Sequence, residues 1–211
     1  MKKLLSLVLA TVMVLSLAAC GSNANSVAKV IDVELTVEQY AFGVRKDSPE
    51  LLGQVNAIIG NFLTDGTFET VCNNYFGDGE PQAVYSAVQG ASDNQLLVAT
   101  NAEFAPFEYK EGEAYYGIDM EIAKLLADEL GKELVIVNMD FDAVCLSVSQ
   151  GKADIAMAGL TVNETRQQSV NFTNSYYNAA QVVITLDNDT SFDNCTTADD
   201  VLAVLAAALK K

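Results

Sequence analysis

Short apolar segments alternate with amphipathic helical segments through the middle of this chain, and this alternation restricts its fold more than any other feature. Residues 96–100, 134–137 and 155–158 are short strand segments of the buried type. Between them, residues 118–130 carry apolar side chains at a helical period, and residues 143–149 predict a shorter helix. Strands that alternate with helices predict an α/β fold, here an open, mainly parallel sheet with helices on both faces.

The flanking segments add further elements to this pattern. Residues 39–45 predict a strand, and a helix begins at Ser48-Pro49 and ends at Asp65-Gly66. Thr67 can cap a second helix, residues 182–186 predict a strand, and residues 197–209 predict a terminal helix. Residues 79–94 are rich in small and polar side chains and predict a linker with room for one helical turn, and residues 187–211 begin with a polar stretch.

The amino terminus has the pattern of a secretion signal. Lys2 and Lys3 precede the apolar residues 4–17, a run too short for a membrane-spanning helix. Leu17-Ala18-Ala19-Cys20 resembles a bacterial lipobox, which implies cleavage before Cys20 and lipidation of its sulfur. We expect a signal peptide at 1–19 and a lipid-anchored tether at 20–33, on the outer face of the cytoplasmic membrane. The alternative is an ordinary signal peptide with a chance cysteine.

Composition excludes several kinds of chemistry. The 211 residues include no His and carry a formal net charge of −16. A His-dependent triad, a His-ligated metal and a nucleic-acid partner are therefore not expected, since phosphate backbones are neutralised by Lys and Arg. The cysteines show no metal-binding spacing, and the odd number left after Cys20 (Cys72, Cys145 and Cys195) leaves at least one thiol free. We expect no catalytic residue, no metal and no cofactor.

Candidate binding residues follow two of the predicted strands. Gly159 allows a close backbone approach, Thr161 or Asn163 can cap the next helix, and that helix start would offer N–H groups to an anion. Arg166 can add a bidentate grip on a carboxylate, although an ordinary surface arginine fits the same spacing. Phe104, Phe107 and Phe141 fit either core lids or ligand walls. The carboxylates of residues 101–117, Glu108 among them, are expected to be solvated loop charges.

Residues 96–184 resemble the first lobe of the amino-acid-binding proteins of ABC importers, which are bacterial solute-binding proteins of family 3 with the type II periplasmic-binding fold. The lipobox agrees with this resemblance. Its specific pieces are Ala105-Pro106-Phe107-Glu108, Gly117-Ile118-Asp119, Met139-Asp140-Phe141-Asp142, Gly151-Lys152-Ala153-Asp154, and Ala158-Gly159-Leu160-Thr161 with Arg166.

The segment of residues 34–78 resembles the carboxyl-terminal end of the same family, which belongs to the same lobe. The order is therefore reversed relative to the family, with the end before the segment of residues 95–186, and most of the second lobe has no match. Two accounts fit: a circularly permuted single lobe with a new linker at 79–94, or a remnant of a tandem gene. Both imply one permuted α/β lobe.

The resemblance also implies roles for individual residues. Arg166 would grip the α-carboxylate of an amino acid, helped by the N–H and hydroxyl groups of Thr161, and Gly159 would offer its carbonyl to the α-ammonium. Phe104 and Phe141 would sandwich the ligand side chain. Asn101 stands where many members carry an acidic residue, which argues against strongly cationic ligands. The expected ligand-binding residues are Asn101, Phe104, Phe141, Gly159, Thr161 and Arg166.

The function implied is binding of a polar amino acid as the extracytoplasmic receptor component of an ABC importer, with weak affinity if the chain is truncated or permuted. The partners would be the amino acid, an ABC permease and the membrane, and the open face of the lobe could self-associate. A first alternative is a dehydratase-like enzyme on the same fold. A second is a non-transporting interaction lipoprotein or a decayed remnant.

Overall fold

A computed structural model describes residues 28–92 and 94–209. The predicted signal peptide, Cys20 and the first part of the tether lie outside these residues. Where the chain is described, no helix is both long enough and apolar enough to cross a bilayer. The described residues divide into two compact units, one within Gln39–Asn178 and a smaller one made of residues 28–38 and 179–209.

The described residues form runs of one to four strands separated by one or two helices. In chain order these are β1 (Ala28–Ile31), β2 (Glu38–Tyr40), β3 (Gly43–Arg45), α1 (Pro49–Asp65), α2 (Thr67–Phe76), β4 (Gln95–Thr100), β5 (Glu103–Phe104), β6 (Glu108–Glu111), β7 (Ala114–Tyr116), α3 (Ile118–Glu129), β8 (Glu133–Asn138), α4 (Phe141–Ser149), β9 (Ile155–Ala156), α5 (Glu164–Gln167), β10 (Val170–Phe172), β11 (Tyr177–Ala179), β12 (Val183–Leu186) and α6 (Ala198–Ala208).

The larger unit is built on a five-stranded sheet with the order β10-β3-β9-β4-β8. Strand β4 is parallel to both β8 and β9, and β3 is antiparallel to both β9 and β10. Four strands therefore run in one direction and β3 alone runs against them. The open, mainly parallel sheet predicted from the sequence is confirmed.

Helices cover both faces of this sheet. Helix α4 packs Val144 and Val148 against Ala99 of β4, with Val170 of β10 in the same apolar cluster. Successive side chains of a strand point to opposite faces, so the buried Val98 faces away from α4. Helices α1 and α3 contact each other and reach β3 and β8 respectively, which covers that second face. The predicted helices on both faces are also confirmed.

Helix α3 shows why the local pattern was informative. Its residues Ile118, Ile122 and Leu126 follow at intervals of four and are fully buried. Its N-cap residue is Gly117, whose φ of 118° and close approach to the Phe107 carbonyl leave no room for a side chain. It ends before Gly131, which has a φ of 64°, as the apolar period predicted.

The predicted loop of residues 101–117 is instead a small three-stranded sheet, β5-β6-β7. Phe104 pairs with Glu108, and Glu111 pairs with Ala114 across the turn Gly112-Glu113. Gly112 has a φ of 59°, which suits a tight hairpin turn. These strands have two to four residues each, and such short runs show too little alternation for a strand to be recognised.

The predicted linker runs along the edge of the main sheet and contains no helix in its described residues, 79–92 and 94. The N–H of Ala87 donates to the Leu134 carbonyl at 2.8 Å, and the hydroxyl of Ser86 accepts from the N–H of Ile136 at 2.9 Å. Val84 pairs with Tyr115 of β7. The expected helical turn is wrong because the backbone bonds instead to β7 and to β8, the edge strand, which is thereby covered.

In the smaller unit, β1 and β12 form an antiparallel pair from Ala28↔Leu186 to Ile31↔Val183. Its apolar core holds Ile31, Phe192 and Val201. Thr197 caps α6 in a reciprocal capping box with Asp200, in agreement with the terminal helix predicted from the sequence. Strands β2 and β11, which pair with each other, contain the points where the chain passes from one unit to the other.

Candidate functional site

The candidate site lies at the carboxyl end of the parallel strands, where open α/β sheets bind ligands. Asn101 follows β4, and its side-chain N–H donates to the Met139 carbonyl at 2.9 Å. Met139 follows β8, and its own N–H donates to the Thr100 carbonyl at 3.0 Å. Asn101 therefore ties the ends of two neighbouring strands together, and its contact with a ligand remains a prediction.

The turn after β9 is held from two sides. Gly159 has a φ of 51°, and its N–H donates to Oδ2 of Asp119 at 2.9 Å. The next carbonyl, of Leu160, accepts from the N–H of Ala41 at 3.1 Å. Thr161 forms a β-bridge with Tyr40. This turn, residues 158–162, is thus bound to α3 on one side and to the segment around β2 on the other.

Arg166 is fixed by its contacts with this turn and with α4. Its Nη1 donates to the Thr161 carbonyl at 2.9 Å, and its guanidinium lies over the ring of Phe141, 5.0 Å from the centroid. The ion pairs formed among the described residues are Lys29–Asp193, Arg45–Asp47 and Lys124–Asp128, so none of them uses Arg166.

That the N-terminus of the helix after Thr161 binds an anion remains a prediction, and the short length of this helix does not favour it. Helix α5 has four residues, and its cap is Asn163, whose Oδ1 accepts from the N–H of Arg166 at 2.9 Å. One turn of helix supplies little dipole, and Asn163 already satisfies the Arg166 N–H. Binding of an anion here would depend on the Arg166 side chain.

The two predicted wall residues are partly exposed and lie in different contacts. Phe104 is 45% exposed, and its ring stacks on Phe107 at 5.6 Å between centroids. A Cβ on Gly159 would come within 3.0 Å of the Phe104 ring, so this ring rests on the glycine backbone. Phe141 is 39% exposed and contacts Arg166. Within residues 28–92 and 94–209 no ring contact joins Phe104 to Phe141.

A cluster of buried polar groups lies behind the turn. Asp119 is fully buried and accepts from the hydroxyl of Tyr176 at 2.6 Å through Oδ1, in addition to the Gly159 N–H. Glu108 is also fully buried, and both of its carboxyl oxygens lack a hydrogen-bond partner. The expectation that Glu108 is a solvated loop charge is wrong, because β6 turns this side chain into the core.

Burial controls the ionisation of this cluster. Loss of solvent, and then the charge of Asp119, raise the pKa of Glu108 far above its usual range. Burial also raises the pKa of Asp119, although the bonds from Gly159 and Tyr176 oppose the change. Two adjacent buried carboxyl groups do not both ionise readily, so we assign the proton to Glu108, the one without donors.

The cysteines of the described region are free, half-buried thiols. Burial raises the pKa of Cys72 to about 12, and burial raises that of Cys145 despite the opposing charge of Arg166. Neither thiol is therefore activated as a nucleophile. No group of three or more acidic or cysteine side chains in the described chain is arranged to hold a metal ion.

Sequence reasoning missed the roles of Glu108, Asp119 and Tyr176. The motif Gly117-Ile118-Asp119 was noted, but Asp119 contacts Gly159 across 40 residues of sequence, which no local pattern reports. The position of Asp119 at the start of an otherwise apolar helix face, between Ile118 and Ile122, was an available signal that its carboxylate is buried.

The family model for bacterial extracellular solute-binding proteins, family 3, matches residues 96–211, which is more than half of the chain. The chain belongs to this family. Within family 3, its similarity to the arginine-binding extracellular protein ArtP of Bacillus subtilis is 34% identity over 90 residues, 43% of this chain and 35% of the relative.

Two further relatives show the range of functions in this group. The probable histidine-binding protein of Campylobacter jejuni is 30% identical over 96 residues, 46% of this chain and 38% of the relative. Cyclohexadienyl dehydratase of Pseudomonas aeruginosa is 35% identical over 92 residues, 43% of this chain and 34% of the relative. This family 3 chain thus spans between 34% and 38% of the length of these three curated relatives.

Among solved structures, the arginine-bound form of a variant of domain 1 from TmArgBP is 28% identical. The similarity covers 56% of this chain and 94% of that one, with a TM-score of 0.39.

Proposed function

We propose that this family 3 chain binds the α-carboxylate of a polar amino acid, as the extracytoplasmic receptor component of an ABC importer. The observation that carries the proposal is the position of Arg166. One guanidinium nitrogen is held by the Thr161 carbonyl, the plane lies over Phe141, and the residue joins none of the ion pairs named above. A guanidinium fixed in this way keeps further N–H donors for a carboxylate.

The neighbouring groups support an amino acid as the ligand. The Gly159 carbonyl and the Thr161 backbone lie in the same turn as the Arg166 contact, and the exposed rings of Phe104 and Phe141 offer apolar walls. Asn101 is neutral and supplies no charge to balance a cationic side chain. Since two of the relatives are named for arginine or histidine, the ligand panel should include these beside neutral amino acids.

The decisive experiment measures binding by calorimetry across an amino-acid panel with the wild type and two Arg166 variants. We expect a Kd on the order of 1 mM, about −4 kcal/mol, for a ligand site formed by a single lobe. Arg166→Ala should abolish detectable binding, a loss of roughly 2–5 kcal/mol for one partner of a charged pair. Arg166→Lys should also bind poorly, because Lys lacks the planar fork.

The matched control is Arg45→Ala, since Arg45 is the other arginine of the chain and pairs with Asp47. This variant should bind as the wild type does. Equal affinities for wild type and Arg166→Ala would reject the carboxylate clamp, and a micromolar Kd for the monomer would show that a second binding surface is present.

We further propose that the two parts of the larger unit form one permuted lobe, either as a circular permutant or as a remnant of a tandem gene. Support comes from β3, which lies between β9 and β10 in the sheet although it precedes them by more than 100 residues. Glu121 of α3 accepts from the hydroxyl of Tyr75 in α2 at 2.6 Å and from the N–H of Gln82 at 2.8 Å. These contacts join the early segment, the linker and the family-matched segment.

The anchor is proposed from the amino-terminal pattern. Cys20 would carry the lipid and hold the protein at the outer face of the cytoplasmic membrane, near an ABC permease. Mass spectrometry of the membrane fraction should show a lipid adduct on Cys20. A fully released, unmodified protein would reject the anchor and leave the solute-binding proposal standing.

Self-association is proposed for the exposed face that carries Phe104 and Phe141, because partly exposed aromatic rings of this kind mark contact surfaces. Sedimentation at several protein concentrations should show a dimer that the double variant Phe104→Ser, Phe141→Ser loses. A wild type that stays monomeric at every concentration would reject it.

A dehydratase-like enzyme is the second candidate, because one relative is named as cyclohexadienyl dehydratase. The acids behind the turn, Glu108 and Asp119, are fully buried, which disfavours direct contact with a substrate. Turnover of prephenate-like substrates would establish the enzyme. A folded protein with neither turnover nor ligand binding would instead favour an interaction lipoprotein or a decayed remnant.

A further inference from the structure

The carboxylate of Asp119 connects the core of the larger unit to the turn that carries the proposed site. It is fully buried, and each of its oxygens accepts one hydrogen bond, from Tyr176 at 2.6 Å and from the Gly159 N–H at 2.9 Å. Tyr176 is itself fixed, because its ring stacks on Phe42 at 4.3 Å and its N–H donates to the Tyr40 carbonyl. The carboxylate is thus held in one position.

The hydrogen bond from the Gly159 N–H to Asp119 also affects the position of Thr161 and Arg166. Gly159 adopts a φ of 51°, which glycine reaches without a steric penalty, so the hydrogen bond to Asp119 is one of the contacts that select this conformation of the turn. Two residues later, the Thr161 carbonyl accepts from Nη1 of Arg166 at 2.9 Å. The direction of that carbonyl, and with it the position of the guanidinium, therefore depends on where the Gly159 amide is anchored.

The groups facing Asp119 from neighbouring elements agree with a charged carboxylate at this position. They are Glu108 of β6, Cys72 of α2 and Tyr176, and burial raises the pKa of each above its usual range. All three are neutral near pH 7 on this basis. The charge of Asp119 is then balanced by its two donors, and none of the ion pairs formed within residues 28–92 and 94–209 includes it.

We propose that Asp119 is a positioning residue of the solute site: through the Gly159 amide it fixes the turn that aligns the Thr161 carbonyl and the Arg166 guanidinium. The inference rests on the proposed function for its effect on binding. Its effect on the turn itself can be measured in the free protein.

The test compares Asp119→Leu with Asp119→Asn. The leucine variant removes both acceptors, and it should weaken amino-acid binding at least about tenfold, the loss expected for one hydrogen bond to a charged group. The asparagine variant keeps one acceptor for the Gly159 N–H and can turn its amide N–H toward the Tyr176 oxygen. It should therefore keep wild-type affinity near neutral pH.

Rescue by asparagine separates positioning from a merely structural role. Because burial raises the pKa of Asp119, acidification converts the carboxylate to a neutral acid that, like asparagine, still offers one oxygen to the Gly159 N–H. The affinities of the wild type and Asp119→Asn should therefore stay equal as the pH is lowered, and Asp119→Leu should bind more weakly than both at each pH. The matched control is Glu121→Gln, a buried acid on the same helix that contacts α2 and the linker instead of the turn. It should lower stability without changing affinity.

Amide hydrogen exchange at Gly159 provides a readout without ligand. Protection of this amide should be strong in the wild type and in Asp119→Asn, and should be lost in Asp119→Leu while the protein remains folded. Unchanged Gly159 protection in the leucine variant would overturn the inference, as would equal affinity of the folded leucine variant. If no amino acid binds to the wild type, the proposed function fails, and Gly159 exchange still decides the role of Asp119.

Discussion

Replacing Glu108 by Gln should change how the stability of the protein depends on pH. Glu108 is fully buried without hydrogen-bond partners, and its pKa is raised far above the usual range by burial and by Asp119. The folded protein therefore keeps a proton on Glu108 at pH values where the unfolded chain has released it. Stability then falls as the pH rises above the unfolded pKa, because the folded state binds more protons.

The magnitude does not depend on the folded pKa as long as that value stays well above 7. A glutamic acid in an unfolded chain ionises near ~4.3, and one proton of difference changes the free energy of unfolding by about 1.4 kcal/mol per pH unit. Between pH 5 and pH 7, Glu108 alone should therefore lower the free energy of unfolding by about 2.7 kcal/mol. Asp119, whose pKa is also raised by burial, adds a slope of the same sign that remains in the variant.

Urea unfolding followed by circular dichroism at pH 5, 6, 7 and 8 measures this slope. In Glu108→Gln the free energy of unfolding should decline less steeply with pH, by up to about 1.4 kcal/mol per unit. An unpaired buried amide shifts the whole curve without changing its slope. Glu111→Gln, an exposed glutamate on the same strand, should reproduce the wild-type slope. Parallel curves for wild type and Glu108→Gln would refute the buried, protonated carboxyl.

Three further changes test the fold and the turn. Ile59→Ala, in the buried face of α1, should cost about 2–5 kcal/mol in urea unfolding, and a loss near zero would show that the early segment does not share the core. Gly159→Ala should reduce the free energy of unfolding by about 1–2 kcal/mol, because alanine is strained at positive φ, and should displace the Phe104 ring. An unchanged melting temperature would contradict the positive φ assigned to Gly159. Glu121→Ala leaves the Tyr75 hydroxyl without its acceptor and should reduce the free energy of unfolding by about 1–3 kcal/mol. An unaltered urea midpoint would show that this contact between α2 and α3 does not stabilise the protein.

Most helices and the long strands could be predicted because their signals are local. Helix α1 begins at Pro49 and ends at Asp65, as the cap, proline and glycine signals indicated. The apolar period of α3 and the capping residues of α6 were equally readable. The small sheet β5-β6-β7 was not, because its strands are too short to show a period.

The candidate residues were also named from the sequence, but their partners were not. Arg166, Phe141 and Thr161 do lie together, and Phe104 lies against Gly159. Their contact with an amino acid remains a prediction. An anion site at the start of α5 also remains a prediction, and the four-residue length of that helix was not readable from the sequence because it depends on how the chain returns to β10.

By itself the sequence determined the α/β class, the mainly parallel sheet and the bounds of the main helices, because side-chain period and end signals act between residues close along the chain. Only the tertiary structure decided that β3 lies between β9 and β10, that the linker covers β8, and that Glu108 is buried. The physical reason is that strand order and desolvation depend on which distant segment covers a residue. The bond from Gly159 to Asp119, across 40 residues, depends on both helix packing and strand order, and no local pattern contains it.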